Sequence, residues 1–125
     1  MSTNGMSAPC ACPNGPADCA QPFCPYYQYV VELLGRRWMG AIIWALLHGL
    51  SRFSELAEAI PDISDRMLSE RLKELEIEGV IERRVIPETP VRVIYCLTPK
   101  GLALEPIMRA TMAWAQTWLA EENAL

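Results

Sequence analysis

The stretch Ile63-Ser64-Asp65-Arg66-Met67-Leu68-Ser69-Glu70-Arg71-Leu72-Lys73-Glu74-Leu75-Glu76-Ile77-Glu78-Gly79 decides the fold. Ser64 stands where a helix N-cap needs a side-chain oxygen to accept from a free N–H of the first turn. Asp65 follows, where negative charge suits the helix dipole. Leu68, Leu72 and Leu75 recur at helical spacing and make one apolar stripe. Gly79 supplies the left-handed residue that commonly closes a helix C-terminus. Opposite the leucines lie Arg66, Glu70 and Lys73, with Ser69 beside them. A capped helix with a leucine underside and a short polar upper face has the chemistry to lie in a DNA major groove. The same pattern fits an ordinary amphipathic surface helix, so the flanking sequence has to decide.

Length and composition set the bounds. At 125 residues there is room for one domain with a core. An apolar fraction of 51% is that of a folded chain. The net charge of −4 counts against a nucleic-acid partner, because DNA-binding domains are usually basic. Local charge matters more than the total, since salt screens charges beyond roughly 8–10 Å. Arg83, Arg84 and Arg92 fall close together where acids are fewer. No apolar run reaches the roughly 18 residues that a bilayer span needs. The N-terminus shows no basic region followed by an apolar one. Neither membrane association nor a secretory leader is expected, and a cytoplasmic location follows.

Residues 1–23 hold one charged side chain, Asp18, among many Pro, Gly, Ala and Ser. Such a stretch cannot bury enough apolar surface to offset its ordering entropy. It reads as a flexible Cys/Pro-rich tail ahead of a folded domain over 24–125. Pro25 suits the first position of a helix, which places Cys24 at the N-cap of a helix over 26–34 that Gly35 ends. A second helix is expected over 37–48. Trp38, Ala41, Ile42, Ala45 and Leu46 occupy one side of it, and Ile43, Trp44 and Leu47 fill much of the rest. A helix apolar nearly all round is central or lies at a subunit interface. A short helix over 53–60 turns Phe53, Leu56 and Ile60 inward, and Pro61-Asp62-Ile63 is the turn into the helix first quoted.

After Gly79 the period changes. Residues 80–86 and 91–97 are rich in β-branched side chains, and Pro87-Glu88-Thr89-Pro90 joins them as a hairpin. Thr98-Pro99-Lys100-Gly101 has a capping threonine with proline at the first helical position. One last helix is expected from there to about residue 121, with Leu104, Ile107, Met108, Met112, Ala115, Trp118 and Leu119 apolar and Trp114 adjacent. That stripe is longer than a small core can cover, which points to self-association. The order describes a mainly α fold with a small β-hairpin wing: a winged helix-turn-helix with N- and C-terminal dimerisation helices. A helix presented by a short turn and followed by an arginine-bearing hairpin matches how DNA readers seat a helix in the major groove and a ribbon on the flanking backbone.

The chain resembles the HxlR-type family of bacterial transcription regulators, relatives of the MarR proteins. The likeness covers about residues 24–118. It rests on Cys24-Pro25, Leu34-Gly35-Arg36-Arg37-Trp38, Arg52-Phe53-Ser54-Glu55-Leu56, Ile60-Pro61-Asp62-Ile63-Ser64 and Met67-Leu68-Ser69-Glu70-Arg71-Leu72-Lys73-Glu74-Leu75. Further on come Gly79-Val80-Ile81, Arg83, Pro87-Glu88-Thr89-Pro90, Val93-Ile94-Tyr95 and Leu97-Thr98-Pro99-Lys100-Gly101. The resemblance implies a homodimer, built through the terminal helices, that binds a palindromic operator. For some members it implies a sensing cysteine at the position of Cys24. Two features depart from the family pattern. Tyr26 and Tyr27 stand where an acidic residue often follows the Cys-Pro pair, and Val91 stands where the wing often has a second proline.

The residues assigned to DNA are Ser64, Arg66, Met67, Ser69, Glu70 and Lys73 on the helix, and Arg83 and Arg92 on the wing. Arg66 and Lys73 can reach phosphates or guanine edges; Glu70 can accept from cytosine. Arg71 lies nearer the apolar stripe and reads as structural. Arg83 and Arg84 alternate across a strand, so at most one faces DNA, and a buried role for Arg83 stays open. Cys24 sits where the positive end of a helix dipole favours the thiolate, which suits redox or electrophile sensing; a small buried hydrophobe is the alternative. Cys96 reads as packing. Cys10, Cys12, Cys19 and Cys24 could hold zinc or an iron–sulfur cluster, or one tail thiol could resolve an oxidised Cys24 through a disulfide. Their spacing fits no strong zinc-ribbon pattern, so no metal or cofactor is assigned.

The expected function is a dimeric, sequence-specific regulator of transcription on double-stranded DNA, responsive to an oxidant or a small-molecule effector. The alternatives are a winged-helix protein-interaction module without DNA binding, which the acidic total favours, and a metal-cluster-sensing regulator using the N-terminal cysteines. No enzyme is expected, since a nucleophile, a base and an orienting group do not recur together.

Overall fold

A computed structural model describes residues 22–119. Cys10, Cys12 and Cys19, most of the expected tail, and the end of the last helix near residue 121 lie outside the described residues. The chain divides into two compact units, residues 1–37 and 38–125.

The described part of the first unit is dominated by α1, Pro25–Leu34, with Pro25 in its first turn and Cys24 as an extended N-cap. The Cys24 carbonyl accepts from the Gln28 N–H at 3.0 Å, while its side chain makes no capping hydrogen bond. Gly35 ends the helix, as expected. Leu33 is buried; Tyr26, Tyr27, Tyr29, Val30 and Val31 are exposed.

The second unit is built on α2, Met39–Leu47, in which Met39, Ile42 and Ile43 are fully buried. The helix starts two residues later than its apolar pattern suggests, because Trp38 adopts a left-handed conformation (φ 71°) that cannot continue a right-handed helix. Around α2 lie α3 (Phe53–Ala59), α4 (Asp65–Ile77) and an antiparallel hairpin of β1 (Ile81–Ile86) and β2 (Arg92–Leu97). α2 packs against α3, β2 and α6, Glu105–Trp118, while α4 packs against α3 and β1. Leu56 of α3 and Leu68, Leu72 and Leu75 of α4 complete the core with Ile60, Val80 and Ile81.

Local chemistry sets the ends of these elements. At α3 the Glu55 Oε1 reaches back to accept from the Ser51 and Arg52 N–H groups at 3.0 and 3.1 Å. Arg52 has no acceptor of its own, so only this returning half of a capping box operates. The turn 60–64 passes through Asp62 in a left-handed conformation (φ 68°). Ser64 then caps α4, its Oγ accepting from the Met67 N–H at 3.0 Å. At the other end Gly79 (φ 79°) reverses the chain. Its N–H reaches the Glu76 carbonyl, and the Val80 N–H reaches that of Leu75, both bonds near 3 Å. This is a Schellman closure. It commits Val80 to the helix end, which is why β1 begins at Ile81. β2 likewise starts one residue late, leaving Val91 exposed in the loop 87–91.

The single last helix is corrected to two. α5 spans Pro99–Leu102 and α6 spans Glu105–Trp118, with a turn at Ala103 and Leu104. Pro106 is the reason: it has no N–H to give, and its ring would clash with the Leu102 carbonyl four residues back. The helix restarts with Pro106 in its first turn. The long apolar stripe read from the sequence ran through this break.

α5 closes on the end of α4. Thr98 Oγ1 donates to the Gly79 carbonyl at 2.6 Å and accepts from the Gly101 N–H at 3.1 Å. Lys100 Nζ donates to the Glu78 carbonyl at 2.6 Å. A Cβ on Gly101 would collide with the Val80 carbonyl. Gly101→Ala is therefore expected to cost about 1–3 kcal/mol, measured by urea denaturation. The Glu55 carboxyl is held below the usual carboxylate range, chiefly by the Ser51 N–H and then by that of Arg52. With its folded pKa below the unfolded one, its contribution is fully present above the unfolded pKa and is lost as pH falls through the folded value. The stability gap between the wild-type chain and Glu55→Gln should hold steady near neutrality and shrink below about pH 4, read from denaturation midpoints across pH.

Candidate nucleic-acid interface

The helical candidates share α4 and its cap. The buried leucines turn the helix so that Arg66, Ser69, Glu70 and Lys73 are exposed and Met67 is half-buried. Ser64 is also exposed, with its Oγ engaged by the Met67 N–H. Arg66 is the most outlying, its side chain 90% exposed, and its Nε lies 3.2 Å from Glu70 Oε2. Lys73 forms no ion pair among the described residues. Arg71 pairs with Glu74 at 2.8 Å, its side chain only 15% exposed, as expected of a residue beside the apolar stripe. Over its whole length α4 sets Arg66, Arg71 and Lys73 against Asp65, Glu70, Glu74 and Glu76. The cations are interspersed with acids along the helix, so no turn of it is strongly basic.

The wing separates its arginines. The register pairs Arg83 with Tyr95, Arg84 with Ile94 and Ile86 with Arg92. Side chains alternate across a strand, so Arg92 shares a face with Arg84 and Glu82, and Arg83 lies on the other. Arg83 is exposed rather than buried. Arg84 is exposed too, and its Nη2 sits 3.1 Å from Glu82 Oε1. Arg92 is half-buried, with Nη2 3.1 Å from Glu88 Oε2 across the loop, and its Nε is buried without a partner.

The start of α3 is drawn to the wing by one backbone bond. The Tyr95 N–H donates to the Ser51 carbonyl at 2.7 Å, adding a short third segment beside β2. Between the two lies an open cleft of about 570 Å³ lined by Arg52, Ser54, Glu88, Pro90 and Arg92, among others. No secondary-structure period signals that contact, so Arg52, Ser54 and Glu88 stand beside Arg92 without any warning from the sequence.

The family model for HxlR-like helix-turn-helix proteins matches residues 33–123. The chain belongs to the HxlR-like helix-turn-helix family. Its similarity to the HTH-type transcriptional regulator YvaP of Bacillus subtilis strain 168 is 53% identity over 96 residues, covering 77% of this chain and 89% of that protein. With the HTH-type transcriptional regulator YodB of the same organism it shares 53% identity over 92 residues, covering 74% of this chain and 82% of YodB. The reduced form of YodB superposes with a TM-score of 0.71 at 50% identity, covering 78% of this chain and 95% of that one. YodB has also been solved diamide-treated and quinone-bound, each with a TM-score of 0.67. The redox regulator HypR in its reduced form superposes with a TM-score of 0.70 at 31% identity, over 78% of this chain and 98% of HypR.

This HxlR-like chain is accordingly a winged helix-turn-helix regulator of transcription, with α3 and α4 as the helix-turn-helix and β1–β2 as the wing. Among its described residues no helix is long and apolar enough to cross a membrane. Cys24, the candidate sensing residue, is a half-buried free thiol at the start of α1.

Proposed function

We propose that this regulator acts in the cytoplasm as a homodimer on a palindromic operator. α4 of each copy enters the major groove, and the wing lies on the flanking backbone. The observation that carries the reading is the presentation of α4. A helix capped at Ser64, locked underneath by buried leucines and introduced by the short turn 60–64 offers Arg66, Ser69, Glu70 and Lys73 as one exposed face. Half-sites then fall about one helical turn apart.

Two exposed apolar surfaces support dimerisation. α1 shows three tyrosines and two valines, and α6 shows Ile107, Met112, Trp114 and Trp118 without burying a single residue. Such faces are covered by a partner far more often than left to water. Arg92 supplies the wing contact to phosphate, and of Arg83 and Arg84, on opposite faces of the hairpin, only one can add to it. For sensing, the diamide-treated and quinone-bound states of YodB and the reduced state of HypR favour a thiol as the site of control. Cys24, at the head of an exposed-faced α1, is the residue assigned to it. The chain works by binding, with no catalytic step.

A mobility-shift titration on the protein's own upstream region, repeated over a range of salt, tests DNA binding. Saturable binding that weakens with salt is expected; no shift at low salt would leave the fold as a protein-interaction module. Arg92→Ala should weaken binding to all sequences alike and reduce the salt slope by about one. In the same assay, diamide should lower the affinity of the wild type reversibly, with dithiothreitol restoring it, and Cys24→Ser should be indifferent to both. A Cys24→Ser chain that still responds would move the sensor elsewhere.

A further inference from the structure

In the cleft between the start of α3 and the wing, Arg92 holds only part of what a guanidinium can hold. Its Nη2 is 3.1 Å from Glu88 Oε2, yet its Nε is buried and unpartnered. Buried donors are normally satisfied, and one left open is costly. A guanidinium presents Nε–H and Nη–H as a fork that fits two oxygens of one carboxylate or phosphate. Glu88, placed on the loop, engages one prong. The cleft around the pair is open, and it adds two further polar side chains, Arg52 and Ser54, both exposed.

We propose that Glu88 is an internal stand-in for a DNA phosphate: it occupies Arg92 in the free protein, and a backbone phosphate seated in the cleft displaces it. This rests on the DNA-binding reading above. The phosphate diester takes both prongs of Arg92, with Arg52 and Ser54 as additional donors, and the Glu88 carboxylate turns to water. The exchange is of one anion for another, so Glu88 lowers affinity for every duplex without altering sequence preference. It sets a threshold that DNA must overcome at each wing.

The Arg84–Glu82 pair is the internal comparison. It has the same 3.1 Å separation on the same hairpin, and neither residue lines the cleft. The experiment is a double-mutant cycle by fluorescence anisotropy, using a labelled duplex of the protein's upstream region and an unrelated duplex of equal length. Urea midpoints show that each variant folds. Glu88→Gln should tighten binding to both duplexes, roughly two- to five-fold, the span that exposed ion pairs allow. The gain should exceed that of Glu82→Gln and should vanish in an Arg92→Gln background. A gain equal to that of Glu82→Gln, or one that persists without Arg92, would reduce Glu88 to general repulsion and overturn the proposal. Weaker binding in Glu88→Gln would make the carboxylate a support for Arg92 and overturn it too. Wild-type protein that binds neither duplex would defeat the DNA reading itself, and this inference with it; wild-type binding without coupling defeats the inference alone.

Discussion

The DNA-facing geometry of this regulator depends on one crossing, where residues 79–80 meet Thr98 and Gly101. Gly79 reverses the chain, and Thr98 bonds its carbonyl by the side chain and that of Val80 by the backbone N–H at 3.0 Å. Lys100 holds the neighbouring Glu78 carbonyl. Helix ends leave carbonyls that need donors, and here the donors come from the far end of the hairpin. The crossing therefore ties three things together. It ends α4, it starts β1 within a residue of that end, and it holds the close of β2 beside them. Gly101 makes the approach possible because no other residue leaves room for the Val80 carbonyl.

Apolar surface is used in two ways. In the second unit it is folded away: α2 buries Met39, Ile42 and Ile43 completely, and α4 lays its leucines into the same core. In α1 and α6 it is displayed, with tyrosines and valines on the first and two tryptophans on the second. Displayed area of this kind costs solubility in a lone chain and stabilises an assembly of two. The core of the second unit is complete while these helix faces are not, which is why the proposed dimer is assigned to them.

Charge follows a related economy. Arg66, Arg71, Arg84 and Arg92 each lie against a glutamate, and the chain as a whole carries −4. Most of these pairs are exposed and individually weak, so they can be opened by a stronger anion. An acidic chain can in this way keep a surface that accepts phosphates without advertising a broad positive field. Attraction at long range is then small, and recognition falls to the few side chains that touch.

Much of this was legible in the residues themselves. Ser64, the leucine period and Gly79 marked α4; Cys24-Pro25 marked the start of α1; Thr98-Pro99 marked the start of α5. Each works through bonds and contacts spanning a few positions along the chain, which is the range over which a sequence speaks directly. The break at Ala103 and Leu104 was also written there, in Pro106, but the apolar stripe that runs across it concealed it. Other features belong to the tertiary structure alone. The opposite faces of Arg83 and Arg92, and the meeting of the Arg92–Glu88 pair with Arg52 and Ser54 across the cleft, are of this kind. They depend on register and on contacts between segments far apart in the chain, and local propensity carries no information about which distant groups a backbone will be brought to meet.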